Sequence, residues 1–385
     1  MVVPLVEVWR IALLEQDDPP CRTMAAVPSR TQSLKEGMAV TIVDTPRPVT
    51  GGVDTHLEVH VAAALDSIGG LLGVEEFDTT ESGSKALLAW LAGFGTVVRV
   101  GVEGTGSYGA GLARHLRRAG VEVLEVDRPN RQERRRKGKT DTVDAIEAAR
   151  AAQAGRQLGA AKTRDGNVEA IRALVVAKRS ATDCRIKTMN QIRHLGFTAP
   201  EEIRQQLHGL STIMLPRKAA AMRPRPGGDP IIFATKMALR TLGRRALALE
   251  AEKRELKVLL RRLVSEQSAD LLSLYGVGVD TAAALLVAAG DNPERLRSEA
   301  SWARLCGVAP IEASSGKVTR LRLSKGGNRQ ANAALWHIVT TRMVSDPRTR
   351  EYVARRTKEG KSKREIIRVL KRYVAREVYH YLPPL

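Results

Sequence analysis

Four carboxylates in three separate stretches are the residues of this chain best suited to chemistry. Asp54 lies in VTGGVDTHLEVHVAAAL, and Glu103 ends the run TVVRVGVE. Asp141 and Asp144 lie in KGKTDTVDAIEAARAA, three residues apart and so on one face of a helix. Carboxylate oxygens suit Mg²⁺, and two such ions can stabilise the attacking and leaving oxygens of a phosphate displacement. The acids therefore predict a magnesium site for phosphodiester chemistry.

Each acid also has a purely structural interpretation. Asp54 is alternatively a turn residue at a strand end, and Glu103 a cap for the helix that follows it. Asp141 is alternatively a helix N-cap, with Thr140 as its competitor for that position. The joint placement of the acids on strand, strand and helix favours the metal site.

A second candidate site is LCGVAPIEASSGKVTRLRLSKGGNRQANAALWHIV, residues 305–339. Ser314 and Ser315 are followed by cations, and a serine among cations can attack phosphorus while they stabilise the negative charge that develops. The alternative is a phosphate-binding loop with ordinary serines, and spacing alone leaves both open. The cations are Lys317, Arg320, Arg322, Lys325 and Arg329.

The charge balance points to a polyanionic partner. Lysine and arginine outnumber acidic residues 62 to 42, which gives the 385-residue chain a net charge of +20. Aromatic residues are only 4%, so we expect phosphate contacts rather than base stacking. The basic stretch 128–139 is predicted to contact nucleic acid, with a solvated linker as the alternative. Its predicted contact residues are Arg134, Arg135, Arg136, Lys137 and Lys139.

The three cysteines, Cys21, Cys184 and Cys306, are far apart and have no zinc-ligand spacing. An odd number also argues against a disulfide framework, so a reducing cytoplasm is expected. The apolar start MVVPLVEVWRIALL is too short to span a membrane. These features predict a cytoplasmic, nucleoid-associated protein with no membrane partner.

The sequence predicts alternating strands and helices over residues 50–155. These elements must position the acids. The predicted order is β-β-α-β-α-β, with one strand region over Val53–Val61, which favours an α/β sheet. Long helical patterns follow at 166–196 and 234–275, the second with leucines near heptad spacing. These two helices are predicted to pair within the chain or between chains, on either side of a Pro/Gly-rich break at 223–230.

The run LLSLYGVGVDTAAALLVAAG places a Gly-Val-Gly turn between two helical segments. It is interpreted either as a helix-hairpin-helix motif, whose turn amides bind a backbone phosphate, or as a plain packing motif. The tail KSKREIIRVLKRYVAREVYHYL is predicted to be a basic amphipathic helix.

Several of these motifs carry a family resemblance. GVDTH, VEGTGSYG, KTDTVDA, GVGVDTAAALL and the stretch from CGVAP through IEASSG to LSKGGN resemble the insertion-sequence transposases of the family numbered one hundred and ten. These are the DEDD, RuvC-like recombinases guided by a bridge RNA. The resemblance runs from about residue 50 to about residue 345.

The predicted architecture is α/β plus α in four parts, of which the resemblance implies the last three. Residues 1–48 lie outside the resemblance and are predicted to be a poorly structured extension because they mix proline, threonine and charge without a sustained period, and 49–160 form a RuvC-like DEDD domain of ribonuclease-H type. Residues 161–268 form a helical, coiled-coil region, and 269–385 a mainly helical transposase domain with the serine loop and the helix-hairpin-helix-like motif. The basic, Pro/Gly-rich stretch 216–230 departs from the family pattern and bears on the length of the coiled coil.

The resemblance also implies roles and partners. Asp54, Glu103, Asp141 and Asp144 become Mg²⁺ ligands, and Ser315 becomes the nucleophile, with Ser314 adjacent. It further implies a covalent serine–DNA intermediate, donor and target DNA, and a structured bridge RNA that supplies the base pairing. The implied assembly is a homo-oligomer, a dimer that forms a tetramer, with acids of one subunit beside the serine of another.

Two rival functions remain. A Holliday-junction-type nuclease would use the four acids and a metal-activated water, without the serines. A non-catalytic nucleic-acid-binding remnant of a decayed element would bind DNA or RNA and cleave neither.

Overall fold

The computed structural model gives the chain an α/β domain followed by a helical region. It describes residues 47–126, 140–155, 159–160, 162–292, 296–316, 321–323 and 326–382. The extension predicted at 1–48 lies almost wholly outside this range, so its lack of structure stays a prediction.

Six strands form one mixed sheet in the order β3-β2-β1-β4-β5-β6. Strands β1, β4 and β5 are parallel, whereas β2, β3 and the two-residue β6 are antiparallel to their neighbours. This arrangement is consistent with a DEDD domain of ribonuclease-H type. The strands are β1 (Pro48–Thr55), β2 (Val59–Leu65), β3 (Leu71–Asp78), β4 (Thr96–Glu103), β5 (Glu122–Val126) and β6 (Gly159–Ala160).

The single strand region predicted over Val53–Val61 is wrong, because the chain reverses at residues 56–58. Leu57 is 67% exposed there, and the His56 amide donates to the Val59 carbonyl at 3.1 Å. The alternation of side chains that is typical of a strand continues across this short turn, and for this reason the sequence suggested a single strand.

Helices cover both faces of the sheet. Helices α1 (Glu81–Gly93) and α2 (Ala110–Arg118) pack on one face with the main apolar core of the domain. Helix α3 (Asp141–Ala154) covers the opposite face, and its inward residues are mostly alanines. A small cluster of Val61, Ala63 and Ala145 marks the contact on that side.

The two long predicted helices are α4 (Asn167–Phe197) and α7 (Pro230–Ser273). They pair antiparallel within the chain, since the start of α4 shares a core with the end of α7, and the end of α4 shares one with the first half of α7. Helices α5 (Glu201–Leu207) and α6 (Met214–Ala220) and the predicted break lie between them. Heptad coiled-coil packing itself stays a prediction.

The remaining helices form a second core that includes the adjoining ends of α4 and α7. Gly276, at φ +78°, turns the chain from α7 into α8, as the Gly-Val-Gly motif predicts. Phosphate binding by that turn stays a prediction. These elements are α8 (Val279–Ala289), α9 (Glu299–Leu305), β7 (Pro310–Glu312), β8 (Leu321–Leu323), α10 (Arg329–Ser345), α11 (Pro347–Lys358) and α12 (Lys363–Tyr379).

Among the described residues, no helix combines the length and the apolar composition needed to cross a membrane.

Candidate active site

Helix α3 lies unusually close to the sheet because two glycines face it. Gly52 on β1 and Gly101 on β4 are paired in the parallel register. A Cβ atom on Gly52 would lie 2.0 Å from the Ala149 nitrogen, and one on Gly101 would lie 2.5 Å from the Ala148 oxygen. Neither strand therefore has room for a side chain here, and the helix backbone rests directly on the strands.

The same alternation that turns the glycines toward α3 also orients two acids. Side chains two residues apart on a strand share a face, so Asp54 follows Gly52 and Glu103 follows Gly101 onto the α3 side. The last register pair is Val53 with Val102, which puts these acids at the carboxyl ends of neighbouring parallel strands. Asp54 is 6% exposed and Glu103 7% exposed.

Neither Asp54 nor Glu103 has the purely structural role considered above, that of a turn residue or a helix cap. Asp54 lies inside β1 rather than in a turn, and Glu103 is the last residue of β4. The helix after Glu103 has Gly109 at its N-cap. The Thr55 hydroxyl donates to the Glu103 carbonyl oxygen at 2.7 Å and ties the two strand ends together.

The start of α3 supplies the other two acids. Thr140, not Asp141, is the N-cap, and its hydroxyl accepts the Val143 amide at 3.3 Å. Asp144 is buried against the sheet, whereas the Asp141 side chain is 49% exposed at the rim. The chain therefore brings both helix acids to the end of the sheet that carries Asp54.

His56 joins this group, although the sequence interpretation did not include it. Its Nε2 atom lies 3.2 Å from Asp54 Oδ2 and 3.4 Å from Asp141 Oδ1. Ligand atoms of these three residues all lie within 4.8 Å of one another. The histidine follows Asp54 by two residues, but only the reversal after β1 shows that its ring reaches both acids.

The pKa of Asp54 reflects both its burial and its acidic neighbours. Burial raises the pKa of Asp54, and the neighbouring carboxylates Asp144 and Asp141 raise it further, while His56 partly offsets the shift. A divalent cation would reverse this balance by favouring the ionised forms. The donor set of carboxylate oxygens with one imidazole nitrogen therefore fits a divalent metal ion.

His60 has a different role from His56. It lies in β2 beside Thr55 and Phe77, is 2% exposed, and has a pKa lowered by burial. His60 is therefore a buried packing residue of β2, whereas His56 lies in the turn that precedes this strand.

The two candidate serines lie at the end of a short hairpin formed by β7 and β8. Ser314 and Ser315 are exposed, and the Ser314 hydroxyl donates to Glu312 Oε1 at 3.1 Å. At the hairpin base, Gly307 has φ +66°, and a Cβ on Gly327 would lie 2.3 Å from the Gly307 Cα. These glycines let the chain segments before β7 and after β8 touch at the base of the hairpin.

Of the predicted nucleic-acid contacts, only Arg322 and Arg329 are described, and both are exposed. The other eight lie outside the described residues, so their contacts stay predictions. They are Arg134, Arg135, Arg136, Lys137, Lys139, Lys317, Arg320 and Lys325.

Two stretches of the chain match known protein families. Residues 51–195 match the IS110-type DEDD transposase domain, and residues 268–354 match a domain described as transposase, IS116/IS110/IS902 family. Two separate stretches of this chain are thus similar to domains of IS110-family transposases. The four acids and His56 fall in the first IS110 domain, and Ser314 and Ser315 fall in the second.

One curated relative is an uncharacterised 43.6 kDa protein of insertion element IS110 from Streptomyces coelicolor. The two are 35% identical over 118 residues, which is 30% of this chain and 29% of that protein. The similarity thus spans less than a third of either protein.

Proposed function

We propose that this chain is a metal-dependent DNA transposase that cuts and rejoins DNA. The observation that carries the proposal is the placement of Asp54 and Glu103 at neighbouring strand ends, with Asp141 and Asp144 in the first turn of α3, which packs on the same face of the sheet. Burial and the two helix carboxylates raise the pKa of Asp54, and a bound divalent cation would instead favour its ionised form. The family match supports DNA as the substrate.

In this proposal, Asp54, Glu103, Asp141 and Asp144 hold divalent metal, Mg²⁺ in the first instance. When bound, the metal would act as a Lewis acid and stabilise the negative charge that develops on the phosphodiester during its displacement. Asp54 and Glu103 form the fixed floor of the site, because they are set by strand register. Asp141, at the exposed rim, is placed where a DNA backbone can approach.

The nucleophile in this proposal is Ser315, whose hydroxyl oxygen attacks phosphorus and releases a DNA hydroxyl. The product is a covalent serine–DNA intermediate, which a second DNA hydroxyl reverses to rejoin strands. Ser314 is the rival, since its hydrogen bond to Glu312 has the geometry of a hydroxyl beside a base. Exposed Arg322 and Arg329 are proposed to hold the phosphate backbone.

The remaining partners in the proposal are a structured bridge RNA and further copies of this chain. The net charge of +20 and the scarcity of aromatic residues support binding through phosphates, with base pairing left to RNA. Acids and serines lie in different domains, which agrees with an active site shared between subunits of a dimer or tetramer.

The test follows covalent adducts between the full chain and labelled DNA from the flanks of its gene, with the co-purifying RNA present. Adducts should survive denaturing gels for the wild type and Ser314→Ala, and disappear for Ser315→Ala while DNA binding persists. Asp54→Asn should abolish adducts and cleavage. Adducts from Ser315→Ala but not from Ser314→Ala would move the role to Ser314.

The metal-dependent nuclease is the second candidate, because β1, the turn after it, β4 and α3 supply all four acids and His56. It predicts cleavage that needs metal and Asp54 but tolerates loss of both serines. A remnant without catalysis predicts DNA binding unchanged by Asp54→Asn and no cleavage with any metal.

A further inference from the structure

The side chain of His56 is held in a tight reversal directly above the acid site. Strand β1 ends at Thr55 and β2 begins at Val59, so only three residues connect them. The His56 amide donates to the Val59 carbonyl at 3.1 Å, which fixes the backbone of this connection. The side chain is 41% exposed and reaches back to Asp54 and Asp141. Strand β1 positions Asp54, and helix α3 positions Asp141.

We propose that His56 is a metal ligand that, with Asp54 and Asp141, gives one metal position of this site a preference for Mn²⁺ over Mg²⁺. The inference rests on the proposed metal role of the acids and adds a nitrogen donor to a set otherwise made of oxygen. It makes His56 part of the metal centre rather than a surface residue of the turn.

The distances fit ligands that share an ion. Two donors about 2.1 Å from one ion lie about 3.0 Å apart at a right angle and about 3.4 Å apart at a tetrahedral angle. The Nε2 atom of His56 is 3.2 Å from the Asp54 oxygen and 3.4 Å from the Asp141 oxygen. Both separations from His56 are therefore those of donors that share an ion.

The chemistry of the donors sets the preference. Mg²⁺ favours oxygen ligands and gives up its water reluctantly. Imidazole nitrogen suits first-row transition ions, and affinity for them rises from Mn²⁺ through Co²⁺. A site of two carboxylates and one imidazole should therefore favour Mn²⁺ over Mg²⁺, relative to the same site with oxygen donors alone.

The same distances also fit a histidine that only hydrogen-bonds the two acids. In that case His56 orients the carboxylates from outside, and a bound ion has no nitrogen ligand. The two arrangements differ in whether nitrogen is bonded to the metal, which a spectroscopic measurement decides without reference to activity.

The experiment adds Mn²⁺ to the full-length protein and records pulsed electron paramagnetic resonance. The wild type should show nuclear modulation from one directly bound histidine nitrogen, and His56→Asn should lose it. Mn²⁺ affinity, measured in competition with Mg²⁺, should fall about tenfold or more in the variant, while Mg²⁺ affinity changes less. His337→Gln, at an exposed histidine of α10, is the matched control and should retain the signal.

Two results would overturn the inference: bound Mn²⁺ without nitrogen modulation, or modulation that persists in His56→Asn. Failure of the underlying metal site gives a different result. In that case Asp54→Asn would bind Mn²⁺ as tightly as the wild type. Circular dichroism of each variant confirms that the fold is kept, which is expected because His56 is partly exposed.

Discussion

The close contact between α3 and the sheet predicts that a single methyl group at Gly52 disrupts the acid site. A Cβ there would lie 2.0 Å from the Ala149 nitrogen and 2.4 Å from the Ala145 oxygen, both backbone atoms that cannot rotate away. Ordinary contacts are about 3.5 Å, so α3 must move outward by roughly 1.5 Å. Overpacking of this kind costs about 1–3 kcal/mol of folding free energy.

The displacement of α3 also predicts a functional effect of Gly52→Ala. Asp141 and Asp144 move with the helix, whereas Asp54 stays with its strand. Because a misplacement of about 1 Å can reduce function about 100-fold, we expect Mn²⁺ affinity to fall by at least about tenfold. Urea denaturation measures the stability change, and competitive Mn²⁺ titration measures the affinity.

Gly51→Ala is the matched control on the same strand. Its Cβ points to the opposite face and meets the Leu91 Cδ1 and Val100 Cγ2 methyl groups at 3.0 and 3.1 Å. These side-chain ends can shift, so the change in unfolding free energy should stay below about 1 kcal/mol and metal affinity should be kept. Equal effects from the two alanines would refute the argument that α3 rests on the strand backbone at Gly52.

Three further perturbations test other parts of the structure. Thr140→Ala removes the N-cap of α3 and should lower stability by about 1 kcal/mol in urea denaturation, with Thr140→Ser restoring it. Arg372 donates a hydrogen bond to Glu299 and lowers the pKa of this carboxyl group. The pair therefore stabilises the folded protein above the ordinary glutamate pKa, and this stabilisation is lost as pH falls through the pKa of Glu299 in the folded state. Glu299→Gln should therefore destabilise the protein by up to about 1 kcal/mol at neutral pH, and a loss that persists in acid would contradict this. Arg322→Ala and Arg329→Ala should each weaken DNA binding and reduce its salt-dependence slope by about one, and an unchanged slope would exclude a phosphate contact.

The identity of the acids and the order of the elements follow from local pattern. Alternation of apolar residues marks the strands, and the spacing of Asp141 and Asp144 puts them on one helical face. Such patterns depend only on the geometry of one strand or one helix, so they can be predicted without knowledge of the tertiary structure. The break at 223–230 and the glycine turn before α8 are readable for the same reason.

Long-range register decided what local pattern left open. The exclusion of side chains at Gly52 and Gly101 became visible only when the backbone of α3 lay against both strands. A glycine in a strand suggests that another backbone segment approaches closely, but the neighbouring sequence does not show which segment it is.

The sequence by itself determined that this chain has acids, serines and cations suited to phosphodiester chemistry, and in which order they occur. Only the tertiary structure decided that His56 reaches Asp54 and Asp141, because that contact depends on a three-residue reversal and on a helix more than eighty residues further along. Side-chain type is a property of one position, whereas a shared site is a property of distances between segments, and those are set by packing.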